Sequence, residues 1–531
     1  MTVLVATGSW FLSTGRALRR SGLLLLLLAC GLCASLWMNW ILSVGPGVSP
    51  DSTVYLETAR NLLSGNGFSV DGRPLTHFPP CYPLLLAGVG LVMDGDVLLA
   101  AHWLCVILFG LNLVLLGATA FLMSGRNSLA TFLAVLFFSL SPSFLMVHSM
   151  AWSEAPFLAF LLTSVVLLSV SLAQDRAGLL LLSAITLGCA VMTRYAGIAA
   201  FPAMAVALLV FGDRPLRERS RRALLYFTVA LSPLLMWLAR NLVVAASATN
   251  RSFRVHPFDS HDVTMLVTTV WEWFLPITSD DSLIRVLVGG CGLLVLIGTL
   301  VVLGKETLRR PRRRPAAGTV FVIVCMLFLI SYLAFLLVSI SFLDAHTSIN
   351  QRIMVPALVL ITVAGIAVSA RWRPVLPIAL VLLSLSTVLH VREAVLQVVH
   401  MHQYGQGYTE RAWVESEVIT YLKKVADDRL LYTNGPDVLR FLLHRRTTGI
   451  PGKVVPTTRE ANPHYTEQTR EMIRQCKNGT ALIAYLDRIT WRWYLPTREE
   501  LVDEGHPPVL RTFRDGVIFG VPRGPSGNGD H

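Results

Sequence analysis

The sequence predicts an α-helical polytopic membrane protein with about 11 transmembrane helices, followed by a small C-terminal soluble α/β domain. Three observations predict this class. Apolar runs of the ~20 residues needed to cross ~30 Å of hydrocarbon recur through most of the chain. The composition is 53% hydrophobic and only 15% charged, with a mean hydropathy of +0.58, far more apolar than a soluble globular protein. The basic residues collect in short segments between the apolar runs, as topology determinants do. That placement argues against a nucleic-acid partner, despite a net charge of +12.

Taken in order, spans are expected near 23–44, 97–123, 128–147, 155–173, 178–193, 196–211, 223–244, 283–303, 318–342, 352–370 and 374–391. The first follows Arg16, Arg19 and Arg20, and its apolar stretch runs on to about Val44. That length favours a retained signal anchor over a cleaved signal peptide. Pro83 to Met93 is too short to span and starts at a proline, so it reads as an interfacial or re-entrant helix. As one helix, 178–211 would be ~51 Å long, so the reading divides it at Arg194.

Charge tests this parity. The segments placed with the N-terminus hold Arg126, Arg176, the cluster Arg214–Arg222, the cluster Lys305–Arg314, Arg371 and Arg373. With the N-terminal arginines they total eighteen basic residues, and the opposite loops are longer and hold fewer. The positive-inside rule then puts the N-terminus inside and the C-terminus outside, as expected of a multi-pass plasma (inner) membrane protein. Cysteines form no framework: six lie in apolar runs, and only Cys81 and Cys476 read as water-accessible.

Two units follow: residues 1–391 as the transmembrane domain, with a first outer loop at 45–82, and residues 392–531 as the outer-face α/β domain. In the second, Glu415 to Asp428 reads as an amphipathic helix, Arg429–Thr433 and Thr480–Leu486 as strands, and Val509–Val521 as a hairpin turning at Arg514-Asp515-Gly516. The last residues, GPSGNGDH, read as a disordered tail. No internal repeat, P-loop or metal-spaced Cys/His cluster is visible in the sequence.

The chemistry gathers in the first loop, SPDSTVYLETARNLLSGNGFSVDGRPLTHFPPCYPLLL from Ser49 to Leu86. Ser49-Pro50 is a helix start with serine as cap and proline at the first position. Asp51 then lies in the first turn, where the helix dipole favours an anion. It either merely begins the helix or stands at the membrane surface as a general base. Transfer of a sugar from a phosphate carrier needs one base for the acceptor hydroxyl. It needs no general acid, because the phosphate leaves as a stable anion. Glu57 and Arg60 have the spacing of an ordinary helix-surface ion pair. Ser153-Glu154 is either a helix start or an interfacial acid with a function. His148, in the same short loop, reads as structural.

Asp51, Tyr55, Ala59, the turn Gly65-Asn66-Gly67 and His77-Phe78-Pro79-Pro80-Cys81-Tyr82-Pro83 together resemble the first outer loop of the GT-C glycosyltransferases. The branch resembled is the bacterial dolichyl-phosphate-mannose protein mannosyltransferase-like group, which uses polyprenyl-phosphate sugars. Trp152-Ser153-Glu154-Ala155-Pro156 resembles its second outer loop, and Met192-Thr193-Arg194-Tyr195-Ala196-Gly197 its TRY-G segment. Trp237-Leu238-Ala239-Arg240-Asn241 resembles its W-x-x-R-N, and Asn350-Gln351-Arg352 with Pro356 its late R-x-x-x-P. Tyr432-Thr433-Asn434-Gly435-Pro436-Asp437 resembles its distal domain. The resemblance implies that Asp51 is the catalytic base. The sequence departs from the pattern where many members have two adjacent acids, since Ser52 follows Asp51. It departs again where the lipid A aminoarabinose transferase branch has an acid–lysine pair, since His77-Phe78 stands there.

The reading is an inverting glycosyltransferase that moves a monosaccharide from a polyprenyl-phosphate donor to an acceptor hydroxyl at the outer membrane face. Asp51 and Glu154 are the catalytic candidates. His77, Tyr55, Arg194, Arg240, Arg352 and His346 are the substrate-binding candidates, with Asp344 beside the last. Arg194, Arg240 and Arg352 lie at outer span ends, where basic residues are disfavoured. They either snorkel to headgroups or fork onto the donor phosphate, with Arg240 and Arg352 preferred over Arg194. His77 could contact phosphate, bind a metal or cap a turn. No cofactor is implied with certainty, and a divalent metal stays open. The acceptor is a glycan, glycolipid or protein, and membrane lipid is the other partner. The alternatives are a lipid-linked glycan transporter or flippase, which calls for pseudo-symmetric halves and mid-membrane charges, and a non-catalytic glycan-assembly partner.

Overall fold

A computed structural model describes residues 2–251, 253–256, 258–275, 315–344, 347–372, 374–425 and 428–522, with side chains from residue 22 onward. Seven of its helices are long and apolar enough to cross a membrane: Gly22–Ile41 (the end of Thr2–Ile41), Val97–Met123, Glu154–Gln174, Leu216–Ala245, Ala317–Phe342, Gln351–Ser369 and Val375–Tyr404. Ser128–Ser139 and Pro142–Ser149 make an eighth if taken together, bent by 61° at Pro142, whose ring cannot continue the helix. Ala177–Thr193 and Tyr195–Val210 are apolar but shorter, and they divide at Arg194, which is extended (φ −147°, ψ 130°). The expected span 283–303 and the cluster Lys305–Arg314 lie outside the described residues.

The bundle packs through small residues. A Cβ at Gly110 would fall 2.4 Å from the carbonyl oxygen of Gly31, so these glycines let helices Thr2–Ile41 and Val97–Met123 touch backbone to backbone. The opposite face of the first helix leaves Leu24, Leu25, Leu28, Leu32 and Leu36 exposed, as a lipid-facing surface requires. Inside the bundle, Phe109, Phe137, Phe138, Phe144, Phe321 and Phe328 form a continuous buried core.

The connections sort onto two ends. At one, Asp175 pairs with Arg214 and Arg222, Arg371 donates to Thr319, and the Met123 carbonyl lies against Gly318. At the other, the first loop meets the distal domain. The Tyr408 N–H donates to the Val48 carbonyl at 2.7 Å, and Arg440 pairs with Asp71 at 2.5 Å. Gly407 makes this junction possible. Its φ is +62°, and a Cβ there would lie 2.2 Å from the Val48 oxygen.

The distal domain is an α/β unit with a five-stranded sheet in the order Thr448–Gly449, Leu430–Thr433, Ala481–Leu486, Gly516–Phe519, Val509–Phe513. The first three strands are parallel and the last two antiparallel, with the hairpin turning at Arg514-Asp515. Three expectations need correcting. The last membrane helix continues to Tyr404, past 391, because Ala394, Val398 and Met401 give it a buried stripe beyond the hydrocarbon run. The amphipathic helix is shorter than the expected 415–428, running Glu417–Lys424, because Ser416 caps its start by accepting the Ile419 N–H; a separate short turn, Arg411–Val414, precedes it. Cys476 is buried in the sheet core rather than water-accessible, and both it and Cys81 are free thiols.

Candidate active site

Helix Pro50–Leu63 starts as its sequence dictates: Ser49 is the cap, and its Oγ accepts the Ser52 N–H at 3.4 Å. The same oxygen accepts Trp152 Nε1–H at 2.7 Å, which ties the first loop to the second. Asp51 follows in the first turn. Arg352 stands equally early in helix Gln351–Ser369, where Asn350 caps the backbone by accepting the Ile353 N–H. Glu154 is the first residue of its helix, and Arg194 is the extended residue between two helices. Four helix ends thus deliver four charged side chains to one place.

There they form a chain. Arg352 Nη2 lies 2.8 Å from Asp51 Oδ2, and Arg352 Nε donates to Glu154 Oε1 at 2.5 Å. Arg194 Nη1 reaches the same Glu154 oxygen at 2.5 Å and donates to Ser153 Oγ at 3.2 Å. The Arg352 guanidinium lies 3.9 Å from the centre of the Trp152 ring, which presents a π face to the cation. The two acids differ sharply in access: the Asp51 side chain is 34% exposed and that of Glu154 is 1% exposed. Glu154, expected beside Asp51 as a catalytic residue, is buried and bonded to two guanidiniums. Asp51 is the accessible carboxylate. Burial works against its charge, but Arg352, then Arg194 and His77, overcome it and hold its pKa below the usual value.

The other predicted residues divide. Tyr55 is 2% exposed, its hydroxyl 3.3 Å from Ser153 Oγ and its ring packed against Phe78 and Tyr82. Burial, with Asp51 adding to it, raises the Tyr55 pKa and keeps the phenol neutral. His77 is half-buried beside the site. Burial lowers its pKa, and Arg251 lowers it further against the opposing pull of Asp344 and Asp51, so it is uncharged at neutral pH. Arg240 is elsewhere: it donates to the carbonyls of Leu75 and Phe68 and stacks on Trp237 at 4.8 Å. The preference for Arg240 over Arg194 is thereby reversed in position. His346 lies outside the described residues. His148 is fully buried between Asn112 and the Phe144 carbonyl, as a structural residue is. Glu57 turns to Arg440 of the distal domain, at 3.5 Å.

Three contributors carried no role in the sequence reading: Trp152 as the platform for Arg352, Ser49 as its brace, and Arg251 beside His77. Trp152 was visible only as a letter in the W-S-E-A-P segment, and nothing in its spacing pairs it with residue 352. Among the described residues, no group of three or more His, Cys, Asp or Glu side chains could hold a metal ion. At the site itself, Arg352 is bonded to one oxygen of each carboxylate, Asp51 Oδ2 and Glu154 Oε1.

Residues 77–237 match the family model described as dolichyl-phosphate-mannose-protein mannosyltransferase, a segment that contains Glu154 and Arg194. No curated protein sequence matches the chain. Among solved structures, ArnT from Cupriavidus metallidurans bound to undecaprenyl phosphate is similar with a TM-score of 0.50 and 16% identity, over 95% of this chain and 100% of that one. The Archaeoglobus fulgidus oligosaccharyltransferase in its apo form is similar with a TM-score of 0.51 and 12% identity, over 88% of this chain and 70% of that one. At such identities the likeness is one of fold.

Proposed function

We propose that this GT-C membrane glycosyltransferase, mannosyltransferase-like through residues 77–237, moves one monosaccharide from a polyprenyl-phosphate carrier to an acceptor hydroxyl with inversion at the anomeric carbon. The observation that carries the reading is the accessible Asp51 carboxylate bonded to Arg352, itself anchored with Arg194 on the buried Glu154. One exposed base and two forked cations side by side match the two demands of this reaction.

In the proposed step the acceptor oxygen loses its proton to Asp51 and bonds to the anomeric carbon. The carbon–oxygen bond to phosphate breaks, and its electron pair leaves on the phosphate. Asp51 is ionised at neutral pH, so it is ready to accept that proton. Arg352 and Arg194 each have nitrogens beyond those bonded to Glu154 and Asp51, and these offer donors to the phosphate as its charge grows. Neutral His77 can donate a hydrogen bond there but adds no charge. A transporter reading would favour charges in the middle of spans. Here all four lie at helix ends, on the same side of the bundle as the distal domain.

The proposed setting is the plasma (inner) membrane, with the N-terminus cytoplasmic and the first loop and residues 392–531 outside. The contacts of Val48 with Tyr408 and of Asp71 with Arg440 support a shared side for these two regions. Alkaline-phosphatase fusions after Arg392 should be active and those after Arg222 inactive.

The test of the reaction is Asp51→Asn in reconstituted membranes supplied with a polyprenyl-phosphate sugar. Asn keeps the shape and can serve in the first turn, so the protein should fold, while transfer falls at least ~10²-fold. The product formed by the native enzyme should carry the anomeric configuration opposite to the donor's. Normal transfer by the variant, or a retained configuration, would overturn the reading.

A further inference from the structure

A cavity opens between the first loop and the distal domain, with a volume of about 770 Å³. This is the size of a small-ligand site. It is lined by five arginines, Arg60, Arg240, Arg440, Arg445 and Arg446, and by two carboxylates, Glu57 and Asp71. Both carboxylates are engaged by one cation, since Arg440 pairs with Asp71 at 2.5 Å and with Glu57 at 3.5 Å. Among the described residues, none of the other four arginines has a carboxylate oxygen within ion-pair distance. Arg240 and Arg445 are instead held by backbone carbonyls, those of Phe68 and Leu75 and that of Arg429. Carbonyls orient a guanidinium without cancelling its charge, so the cavity keeps an excess of positive charge at fixed positions.

Both the first loop and the distal domain contribute to its wall. Arg446 reaches over from the distal domain until its Nη2 is 3.8 Å from where a Cβ of Gly72 would sit, at the tip of the first-loop hairpin. Its large apolar lining is slight, confined to Phe68, Pro74 and Val244, which suits a hydrophilic ligand rather than a lipid tail. It also adjoins the reaction site along the chain. The strand clamped by Arg240 at Leu75 runs through Thr76, whose carbonyl accepts from Tyr195, directly to His77 beside Asp51.

We infer that this cavity binds an anionic portion of the acceptor, a glycan bearing carboxylate or phosphate groups, and so presents its hydroxyl to Asp51. The inference rests on the glycosyl-transfer reading for its purpose, but the binding itself does not depend on transfer. Guanidinium forks match both oxyanions. Of the four arginines outside the Arg440 pairs, Arg446 is exposed, so it can be changed without disturbing the fold.

The experiment measures equilibrium binding of the purified full chain in phosphatidylcholine nanodiscs to three probes: trigalacturonate, a phosphorylated disaccharide and neutral maltotriose. The anionic probes should bind at least ~10-fold more tightly than maltotriose, and Arg446→Glu should lower their affinity by ~10-fold or more at an unchanged melting temperature. A double variant, Arg60→Gln with Arg446→Gln, should remove the preference. Asp51→Asn should bind all probes as the native protein does. If Asp51→Asn also transfers sugar normally, the catalytic reading falls while the anion site stands. Equal binding of neutral and anionic probes, or full binding by Arg446→Glu, would overturn the inference. A ~10-fold loss of probe affinity when phosphatidylglycerol is added to the nanodiscs would overturn it too, by assigning the cavity to lipid headgroups.

Discussion

Replacing Glu154 by Gln separates the two roles that a buried carboxylate near Asp51 can have. One oxygen of Glu154, on a side chain 1% exposed, holds Arg352 Nε and Arg194 Nη1, each at 2.5 Å. Gln keeps the shape and one acceptor oxygen but removes the charge. Breaking a buried ion pair outright costs about 3–5 kcal/mol. Here the guanidinium side chains are 19% and 22% exposed, so water recovers part of that loss. With the retained acceptor, the cost falls to about 2 kcal/mol, or about 30-fold in an equilibrium constant. If this energy is what keeps both guanidiniums turned toward the donor phosphate, its loss belongs in donor binding. Steady-state kinetics in reconstituted membranes, with donor varied at saturating acceptor, should show KM for the donor rising by about 30-fold while kcat changes less than ~3-fold, because in the proposed reaction Asp51, not Glu154, accepts the proton. A fall in kcat of ~10² or more at unchanged donor KM is the signature of a lost general base. That result would refute the anchoring role and make Glu154 the base.

Three further outcomes are expected. Arg352→Lys cannot bridge Asp51, Glu154 and a phosphate at once, so it should raise donor KM at least ~10-fold, whereas Arg240→Lys, outside the charged chain, should change it by less than ~3-fold; equal effects in donor titrations would contradict the separation. The pKa of Asp51 is held below 3.8 and that of His77 below 6.5, so the base is present at neutral pH and lost only as pH falls through the lowered Asp51 value. The kcat/KM profile should be level from pH 7 down to about 5, and an acidic limb near pH 6.5 that disappears in His77→Gln would count against this assignment. Gly407→Ala puts a side chain at φ +62° and 2.2 Å from the Val48 oxygen, a strain of about 2 kcal/mol or more, and should speed hydrogen exchange and proteolysis around residues 404–411 without changing the sheet of the distal domain.

Much of the architecture was legible in the sequence because it follows from one-dimensional physics. Apolar length sets which segments can cross hydrocarbon, an excessive helix length locates the break at Arg194, and Ser49-Pro50 starts a helix with Asp51 in its first turn whatever surrounds it; the bend at Pro142, inside the expected span 128–147, was not read. The strands at Leu430–Thr433 and Ala481–Leu486 and the closing hairpin were likewise local. The sequence also marked Asp51, Glu154, Arg194, Arg240 and Arg352 as charges at span ends. What it did not contain was their pairing. Arg352 and Glu154 are 198 residues apart, and their contact exists only because two helix starts meet at one end of the bundle. Burial was hidden for the same reason: Asp51 and Glu154 have similar local settings, yet only packing by neighbouring helices makes one accessible and the other an internal anchor. The same packing turned Arg240 toward the first-loop carbonyls and Tyr55 toward Ser153. Local sequence fixes the start of a helix and its charge; which charges meet, and which of them water can reach, is decided by how distant elements pack.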